Sequence, residues 1–316
     1  TPDGNLDPAF NGGHVVVTDV SQRVMQTSTG ADDEAHGVVI QPDGAIVVVG
    51  FTIINSVKEF AAVRYKTDGS LDGTFGNGGI VDVSIASGDA TAYAAAMQRN
   101  GAIVLAGNAS NGQDHDFALL GLDSAGARSA GFGDGSDGTG VTITNFGATP
   151  NYDDVAQTIA VQPDDTLVVA GASLVTTATN GAPSTAHRPS LARYTADGRE
   201  DTGFSSKTTA LGSQDDESLA VLVKPADDIA AVGFHKGSPT GYNFMLLAYG
   251  SHGGDPTSTT YTDFSGGEDR AFAAAFQPDG KIVAGGYATL AGQREFALLR
   301  YDSAGSVDAT FGPNGN

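Results

Sequence analysis

One pattern occurs five times in this chain, and it limits the available folds more than any other feature. The first copy reads QPDGAIVVVG, and we call its first residue the anchor. The five anchors are Gln41, Gln98, Gln162, Lys224 and Gln277. A glycine follows nine residues after each anchor, at Gly50, Gly107, Gly171, Gly233 and Gly286. The anchors lie 57, 64, 62 and 53 residues apart, a period typical of propellers and solenoids built from one supersecondary unit per repeat.

Each repeat contains four short segments with the alternating, β-branched pattern of a strand. In the first repeat, strand a covers residues 14–20, strand b 36–41, strand c 45–52 and strand d 60–66. Strand a recurs at residues 79–85 and 141–146, and more weakly at 206–211 and 258–264. Because the connections are short, neighbouring strands should be antiparallel. The sequence therefore predicts an all-β fold, a five-bladed β-propeller of four-stranded antiparallel blades that forms a single domain over residues 1–316.

Strand b carries small residues two and four positions before the anchor, such as Ala94, Ala96 and Ala275. Small side chains suit the innermost strand, where the blades crowd around the axis. With b innermost, each blade has the order b, c, d, a, and the fifth blade lacks its outer strand. Residues 14–20 would supply that strand and close the ring by strand exchange. The loop motif LDxxF occurs near both ends, however, and a five-fold ring has room for only one copy.

Three of the five d strands carry an arginine, and each is followed by an aspartate eight residues later. The pairs are Arg64 with Asp72, Arg193 with Asp201, and Arg300 with Asp308. The other two repeats lack both partners: Gly121 is followed by Ser129, and Ala248 by Pro256. A buried charge without its partner is costly, so this joint presence or absence predicts a structural ion pair.

The combined motif resembles a known repeat family. LDxxFG before a strand, then QPDGxIVVxG and FALxRY, is similar to the bacterial delta-60 repeat, with examples at residues 41–50, 277–286 and 296–301. The resemblance covers nearly the whole chain, and it implies a β-propeller on a large secreted or surface protein. It carries over no activity and no catalytic motif. The fourth repeat departs most, because Lys224, Ala226 and Asp228 break the QPDG pattern.

The charge of the chain narrows the range of partners. Asp and Glu number 37 against 16 Lys and Arg, a net charge of −21, which disfavours nucleic acid and anionic membrane surfaces. No apolar run approaches the ~18 residues that span a bilayer, so membrane insertion is not expected. The absence of cysteine excludes thiolate metal sites and thiol nucleophiles. The chain starts at Thr1 without Met or a signal-like segment, from which export cannot be read directly. Its acidic, cysteine-free composition, rich in Gly, Asp and Thr, is compatible with the mature form of a secreted or cell-surface bacterial protein, which is our expectation.

An acidic residue occurs nine residues before every anchor. These acids are Asp32, Asp89, Asp153, Asp215 and Glu268, and a second acid follows four of them, at Asp33, Asp154, Asp216 and Asp269. Strand directions place them on the same face as the c-to-d loops, opposite the PDG turns. In one interpretation each acid hydrogen-bonds its own following backbone and shapes a turn. In the other, the five acids bind a hard cation, Ca²⁺ or Mg²⁺, at an axial mouth, with no organic cofactor.

The same face carries four of the six histidines and the longest insertion. His36 begins strand b, His115, His187 and His235 fall in predicted c-to-d loops, and residues 173–189 form the insertion. A loop at 134–138, DGSDG, resembles part of a calcium loop but lacks its closing Glu, so we expect a long turn. We predict the three loop histidines as ligand-binding residues.

Signals for catalysis are few. The chain has no GxSxG, HExxH or phosphate-binding loop motif. His36 beside Asp33, with Tyr93 at the equivalent position of the next repeat, forms the candidate catalytic group. Three functions therefore remain open: a module that binds a small-molecule, glycan or protein ligand, a hydrolase of esters or glycosides with its site in the same mouth, and a structural spacer.

Overall fold

The computed structural model describes residues 3–26, 30–86, 88–133, 139–146, 152–179, 182–211, 215–224, 227–237 and 241–312. The calcium-like loop predicted at 134–138 and Ala226 lie outside these residues. The chain divides into two compact units, Thr1–Thr144 and Asn145–Asn316, and each is described by itself. The prediction of a single domain stays a prediction.

The first unit contains two antiparallel sheets and one short α-helix, α1 (Val20–Met25). Sheet 1 consists of β1 (Asp33–Ile40), β2 (Ile46–Ile54), β3 (Val57–Tyr65) and β4 (Ile80–Val83). Sheet 2 consists of β5 (Ala90–Met97), β6 (Ile103–Ser110), β7 (His115–Leu122) and β8 (Val141–Thr144).

The second unit contains three antiparallel sheets. Sheet 3 consists of β9 (Asp154–Val161), β10 (Leu167–Thr179), β11 (Ala182–Tyr194) and β12 (Lys207–Thr208). Sheet 4 consists of β13 (Asp216–Val223), β14 (Ile229–Gly237), β15 (Gly241–Tyr249) and β16 (Ser258–Thr262). Sheet 5 consists of β17 (Arg270–Phe276), β18 (Ile282–Leu290) and β19 (Gln293–Tyr301).

The strand order confirms most of the predicted repeat. Sheets 1 to 4 have the order b, c, d, a, with strand b at one edge and strand a at the other. Sheet 5 has only b, c and d among the described residues. The predicted all-β fold with five antiparallel sheets is therefore confirmed, whereas closure into a ring stays a prediction.

The prediction of a strand at residues 14–20 is wrong. This segment has no strand structure; it leads into α1, where Asp19 caps the helix by accepting the Gln22 N–H. A second carboxylate, Asp33, accepts the Val20 N–H at 2.7 Å. These two aspartates make a helix start more favourable than an extended strand, although the β-branched sequence resembles β4. Val15 and Val17 remain exposed on this segment.

The sheets within each unit pack through one repeated interface. In the first unit, Phe60 and Ala62 of sheet 1 share a core with Ala118 and Leu120 of sheet 2, and all four are buried. The same positions recur in the second unit, where Phe244 and Leu246 of sheet 4 share a core with Ala297 and Leu299 of sheet 5. Alternate residues of strand d thus face opposite neighbours, as the period of a strand requires.

The recurring glycine is explained by a β-bulge at the start of every strand b. In each sheet, one residue of strand b has no partner in strand c, and the pairing register shifts there. A Cβ on Gly50 would lie 1.8 Å from the Glu34 carbonyl oxygen, and one on Gly107 1.9 Å from that of Thr91. The same contact occurs in the other three copies, so only glycine allows the close approach.

The three predicted arginine–aspartate pairs are confirmed. Their shortest nitrogen–oxygen distances are 2.8 Å for Arg64–Asp72, 2.7 Å for Arg193–Asp201 and 2.9 Å for Arg300–Asp308. In sheet 2, which lacks the arginine, the ring of Phe132 lies against Gly121 instead.

Two of these arginines also join neighbouring sheets. Arg64 Nη1 donates to the Ser124 carbonyl at 2.6 Å, and Arg193 Nη1 donates to the Ser251 carbonyl at 2.6 Å. Sheet 4 has Ala248 at the arginine position, and there the anchor Lys224 reaches the Ser303 carbonyl at 3.0 Å. All three acceptor carbonyls lie two residues after the end of a d strand. Lys224 therefore makes in sheet 4 the contact that an arginine makes in sheets 1 and 3.

Two-residue hairpins join strands c and d in sheets 1 and 5, and in sheet 2 the connection consists of residues 111–114. Asn55 and Ser56 both have positive φ between β2 and β3, as do Ala291 and Gly292 between β18 and β19. Two positive φ values in succession match the type I′ turn that suits twisted hairpins. The predicted loop insertion at residues 173–189 is instead an extension of β10 and β11.

Candidate functional site

The β-bulges present one side chain per repeat at the start of strand b. This bulge residue lies five positions before the anchor and is His36, Tyr93, Gln157, Leu219 or Phe272. Bulges re-aim side chains, and they are common next to functional sites. The chemistry of these five residues differs from copy to copy, whereas the glycine that permits the bulge does not.

In the first unit, His36 and Tyr93 lie side by side. Their ring centroids are 5.1 Å apart, and the ring of Phe51 lies 6.0 Å from His36. Lys58 Nζ lies over Phe51 at 4.0 Å from the ring centroid. We call these four side chains the aromatic site. His36 is exposed, Tyr93 is half-buried and Phe51 is buried, so the site offers ring surface to solvent on a rigid base.

Two further groups set the polarity of the aromatic site. Burial, with a smaller contribution from the Glu34 carboxylate, raises the pKa of Tyr93. The Tyr93 phenol is therefore protonated at neutral pH and able to donate a hydrogen bond. The carboxylate of Asp89 accepts the backbone N–H of Lys58 at 2.8 Å, which holds the start of β3 against the strand that carries Tyr93.

The predicted catalytic group is only partly assembled. His36 and Tyr93 are brought together, but Asp33 makes its hydrogen bonds elsewhere. Its carboxylate accepts the Val20 N–H and the Thr52 hydroxyl, each at 2.7 Å. Asp33 therefore joins α1 to sheet 1, and no contact with His36 supports a role as its orienting carboxylate.

The second acids of the other pairs have similar structural contacts. Asp216 and Asp269 are buried, and Asp269 accepts the N–H groups of Phe264 and Thr289 at 2.8 and 3.1 Å. Asp154 accepts the Phe146 N–H at 2.8 Å. These carboxylates tie the segment before strand b to the end of strand c. Burial raises the pKa of Asp269 even though both amides favour its charged form.

The first acids of the pairs lie closer to the surface. Asp89 and Asp215 accept backbone N–H groups of the preceding sheet, from Lys58 and His187. Glu268 pairs with Arg294 at 3.2 Å, Asp32 is exposed, and the Asp153 carbonyl accepts the Leu174 N–H. Among the described residues, no three histidine or carboxylate side chains are close enough together to hold a metal ion. The Ca²⁺ or Mg²⁺ site at these five acids stays a prediction.

The three predicted ligand-binding histidines lie in strands, not in loops. His115 begins β7, His187 is in β11 and His235 is in β14. The difference arises because strands c and d extend further than the sequence pattern predicted. His235 has a fixed structural environment: its Nδ1 lies 2.6 Å from the buried Asp216, and its ring stacks on Tyr261 at 4.1 Å.

His187 belongs to a charged cluster in the second unit. Its Nδ1 lies 3.7 Å from Glu217 Oε1 and 3.8 Å from Asp215 Oδ1. Burial raises the pKa of Glu217, and the interaction with Asp215 raises it further. The interactions with His187 and Arg270 act in the opposite direction. Arg270 lies over the ring of Tyr242 at 3.8 Å. We call His187, Asp215, Glu217 and Arg270 the charged site.

Sequence reasoning missed Glu217 and Arg270. Both lie seven residues before an anchor, where the other copies have Glu34, Thr91 and Val155. Comparing the copies position by position would have found them, because this position varies between acidic, polar, apolar and basic residues two residues after an acid that occurs in every copy. Variation of chemistry at a fixed place in a repeat is typical of grafted function.

Comparisons with known proteins bear on the fold. Residues 41–75, 162–204 and 277–311 match the family model described as a domain of unknown function (DUF5122) beta-propeller. These matches support a β-propeller. They agree with the fold that the repeat resemblance implied, while the delta-60 name itself stays a prediction. No curated protein matches the sequence significantly.

Solved structures give the same picture. A polysaccharide lyase described as a PL25 ulvan lyase is 10% identical with a TM-score of 0.53, covering 90% of this chain and 72% of its own. The same lyase bound to a -[GlcA(1-4)Rha3S]- ligand is 10% identical with a TM-score of 0.52, covering 86% and 68%. A protein of unknown function from Dyadobacter fermentans is 12% identical with a TM-score of 0.50, covering 84% and 74%. Identities this low support the fold alone.

Proposed function

We propose that this chain is a carbohydrate-binding β-propeller and that the aromatic site is its binding surface in the first unit. The observation that carries the proposal is the exposed His36 ring beside Tyr93, each placed by its own β-bulge. Aromatic side chains with a polar tip provide an apolar face and a hydrogen-bonding group together, which suits a sugar ring. The Lys58 ammonium adds a donor at the edge of the site.

The charge of the chain favours a neutral glycan over a polyanion. A net charge of −21 repels anionic polymers at low ionic strength. The ulvan lyase with a similar fold is bound to a -[GlcA(1-4)Rha3S]- ligand, which contains a uronate and a sulfated sugar. We therefore expect this chain to differ from that lyase in ligand. Extracellular location fits a polysaccharide ligand and stays a prediction; no helix among the described residues is long and apolar enough to cross a membrane.

Binding to a panel of neutral and anionic polysaccharides tests the proposal. Affinity electrophoresis screens the panel, and calorimetry measures the dissociation constant for the best ligand. Tyr93→Ala should weaken binding about fivefold, since one aromatic contact contributes about 1 kcal/mol. Phe296→Ala, which removes an exposed aromatic ring outside the aromatic site, is the matched control and should leave binding unchanged. Equal losses in both variants, or none in either, would contradict the assignment.

A glycoside hydrolase is the second candidate function, and the charged site favours it. A half-buried carboxyl group with a raised pKa is able to donate a proton to a glycosidic oxygen, while a second carboxylate, such as Asp215, activates water. The same incubations are therefore assayed for new reducing ends. Activity that disappears in Glu217→Gln but persists in Glu295→Gln, an exposed control, would support the hydrolase.

A further inference from the structure

The side chain of Arg270 differs in its contacts from the paired arginines of the described structure. Those that form ion pairs with carboxylates are Arg64, Arg193, Arg199, Arg294 and Arg300. The guanidinium group of Arg270 has neither an ion-pair partner nor a hydrogen-bond partner among the described residues. Its Nε is buried, whereas its two Nη groups are still reached by solvent. A guanidinium group has five N–H donors, so those of Arg270 are available to a ligand.

Two aromatic rings fix the orientation of this guanidinium group. The Cζ atom of Arg270 lies 3.8 Å from the ring centroid of Tyr242 and 4.4 Å from that of Phe234. The two rings meet edge to face, with their centroids 5.1 Å apart. Stacking on a ring fixes the plane of a guanidinium group and leaves the donors at its edge free. The Nη groups of Arg270 therefore form a preorganised fork, the geometry that matches a planar carboxylate.

Backbone contacts hold the strands that carry Arg270 and Tyr242. The Asp269 N–H donates to the Tyr242 carbonyl at 2.6 Å, which joins the start of β17 to β15. A Cβ on Gly241 would lie 2.3 Å from the Gly267 carbonyl oxygen, so glycine permits the close approach of these segments. The fork is thus positioned by the backbone of sheets 4 and 5, and ligand binding orders few groups.

The charges around the fork favour one added carboxylate. Lys236 Nζ lies 3.7 Å from Asp215 Oδ2, so the two charges offset each other. Burial raises the pKa of Glu217, so this carboxyl group takes up a proton more readily than an ordinary glutamate. The positive charge of Arg270 therefore acts on a ligand with less local opposition than the net charge of −21 would suggest.

The other groups of the charged site suit the hydroxyl groups of a sugar. The side chains of His187 and Asp215 are 44% and 35% exposed, and that of Glu217 is 24% exposed. All three reach solvent on the same side as each other's polar atoms, and together they supply donors and acceptors. A planar cationic fork beside such groups is the combination that a sugar with a carboxylate requires.

We infer that the charged site binds a uronic acid residue, whose carboxylate accepts hydrogen bonds from the Nη groups of Arg270. The inference extends carbohydrate binding to the second unit, and its choice of a sugar rests on the proposed function. A single uronic acid on an otherwise neutral glycan agrees with the expected preference for neutral polysaccharides, because repulsion by the acidic chain grows with the number of ligand charges.

Two small glycosides test the inference on the unaltered chain. Methyl glucuronoside carries the carboxylate, and methyl glucoside has a hydroxymethyl group in its place. Nuclear magnetic resonance titration of the isotope-labelled whole chain should show saturable binding of the glucuronoside with a shift of the Arg270 Nε–H signal. The glucoside should bind about tenfold more weakly, since it leaves the charged fork without an acceptor. Equal affinities, no saturable binding, or binding that leaves the Arg270 signal unmoved would overturn the inference.

Protein variants test the fork itself. Arg270→Gln should weaken glucuronoside binding about tenfold, and Arg270→Lys should also weaken it, because a lysine keeps the charge but loses the fork. Arg294→Gln, which changes an arginine of sheet 5 outside the charged site, is the matched control and should bind as the parent does. Equal losses in Arg270→Gln and Arg294→Gln would contradict the assignment. If Arg270→Gln fails to fold, the glycoside pair still decides the question.

Failure of this inference is distinguishable from failure of the proposed function. A chain that binds the glucuronoside at Arg270 but no neutral polysaccharide would remove the aromatic site and leave the inference standing. A chain that binds a neutral polysaccharide at the aromatic site but not the glucuronoside would remove the inference alone.

Discussion

Arg64 shows how a single side chain joins two sheets. It is buried, pairs with Asp72, donates to the carbonyl of Ser124 and lies over the ring of Phe75. Arg64→Ala leaves Asp72 without its cation and removes the link to sheet 2, so we expect a loss of about 3 kcal/mol in the free energy of unfolding. Urea denaturation measures it. Lys66→Ala, an exposed control, should change stability by less than about 0.5 kcal/mol.

Two further measurements test the pair itself. The double variant Arg64→Ala with Asp72→Ala should cost less than the sum of the single variants, and additive losses would show that the two side chains are not coupled. Hydrogen bonds from Thr74, followed by the charge of Arg64, lower the pKa of Asp72 against the effect of burial. A lowered carboxyl pKa stabilises the fold above the ordinary value near 4 and loses this effect as pH falls through the folded value. The difference between parent and Arg64→Ala should therefore shrink as the pH falls below the ordinary carboxyl value near 4.

The sequence predicted the three arginine–aspartate pairs, but it did not predict the contacts of the acids that precede strand b, such as Asp33. The residues equivalent to Arg64 and Asp72 are either both present or both absent in each repeat. Such joint occurrence within one sequence indicates that the two side chains interact. Asp33 leaves no such signal, because apart from the Thr52 hydroxyl its partners are backbone N–H groups, which every residue except proline supplies. Only part of the predicted catalytic group was found together in the structure. The contact between His36 and Tyr93 was predictable because they occupy equivalent positions of successive repeats, whereas the contacts of Asp33 depend on α1, which the sequence did not predict.

The β-bulge is the element that places the candidate site, and the glycine nine residues after the anchor permits it. Gly107→Ala would put a Cβ 1.9 Å from the Thr91 carbonyl oxygen, so strand c or strand b must move. We expect a loss of more than about 3 kcal/mol in the free energy of unfolding, with displacement of Tyr93. Gly73→Ala is the matched control, since a Cβ there meets nothing within 4 Å. Similar stabilities for the two variants would show that the bulge does not require glycine.

Strand alternation predicted b, c and d well and failed at residues 14–20. The pattern HVVVTDV is as strand-like as IVDV in β4, and both follow a glycine-rich turn. Periodicity records which side chains could share a face, but not which neighbouring strand is available. Asp19 and Asp33 decide the outcome by capping α1, and Asp33 lies outside the window in which periodicity is read.

At the largest scale, the first unit shows how a segment outside the strands covers an apolar sheet face. In arrays of stacked units, a terminal face that lacks a neighbour exposes apolar surface unless another segment covers it. Sheet 1 has such a cover: Val20 packs with Ala61, Val63 and Ile80.

Deleting residues 1–25 tests this capping role in the first unit. The deletion uncovers Ala61, Val63 and Ile80, and it removes the burial of Val20, which is 4% exposed. The cover is imperfect, because a cavity of about 390 Å³ lies between the segment and sheet 1. We therefore expect a moderate loss of about 2–4 kcal/mol in the free energy of unfolding, the contribution of one or two buried valines. Binding of a hydrophobic dye should rise, because apolar surface becomes exposed.

Val17→Ser, on the exposed side of the same segment, is the control and should change neither the free energy of unfolding nor dye binding. A truncated chain that melts like the parent and binds no more dye would show that sheet 1 needs no cap, and that residues 14–25 lie on its surface without stabilising it.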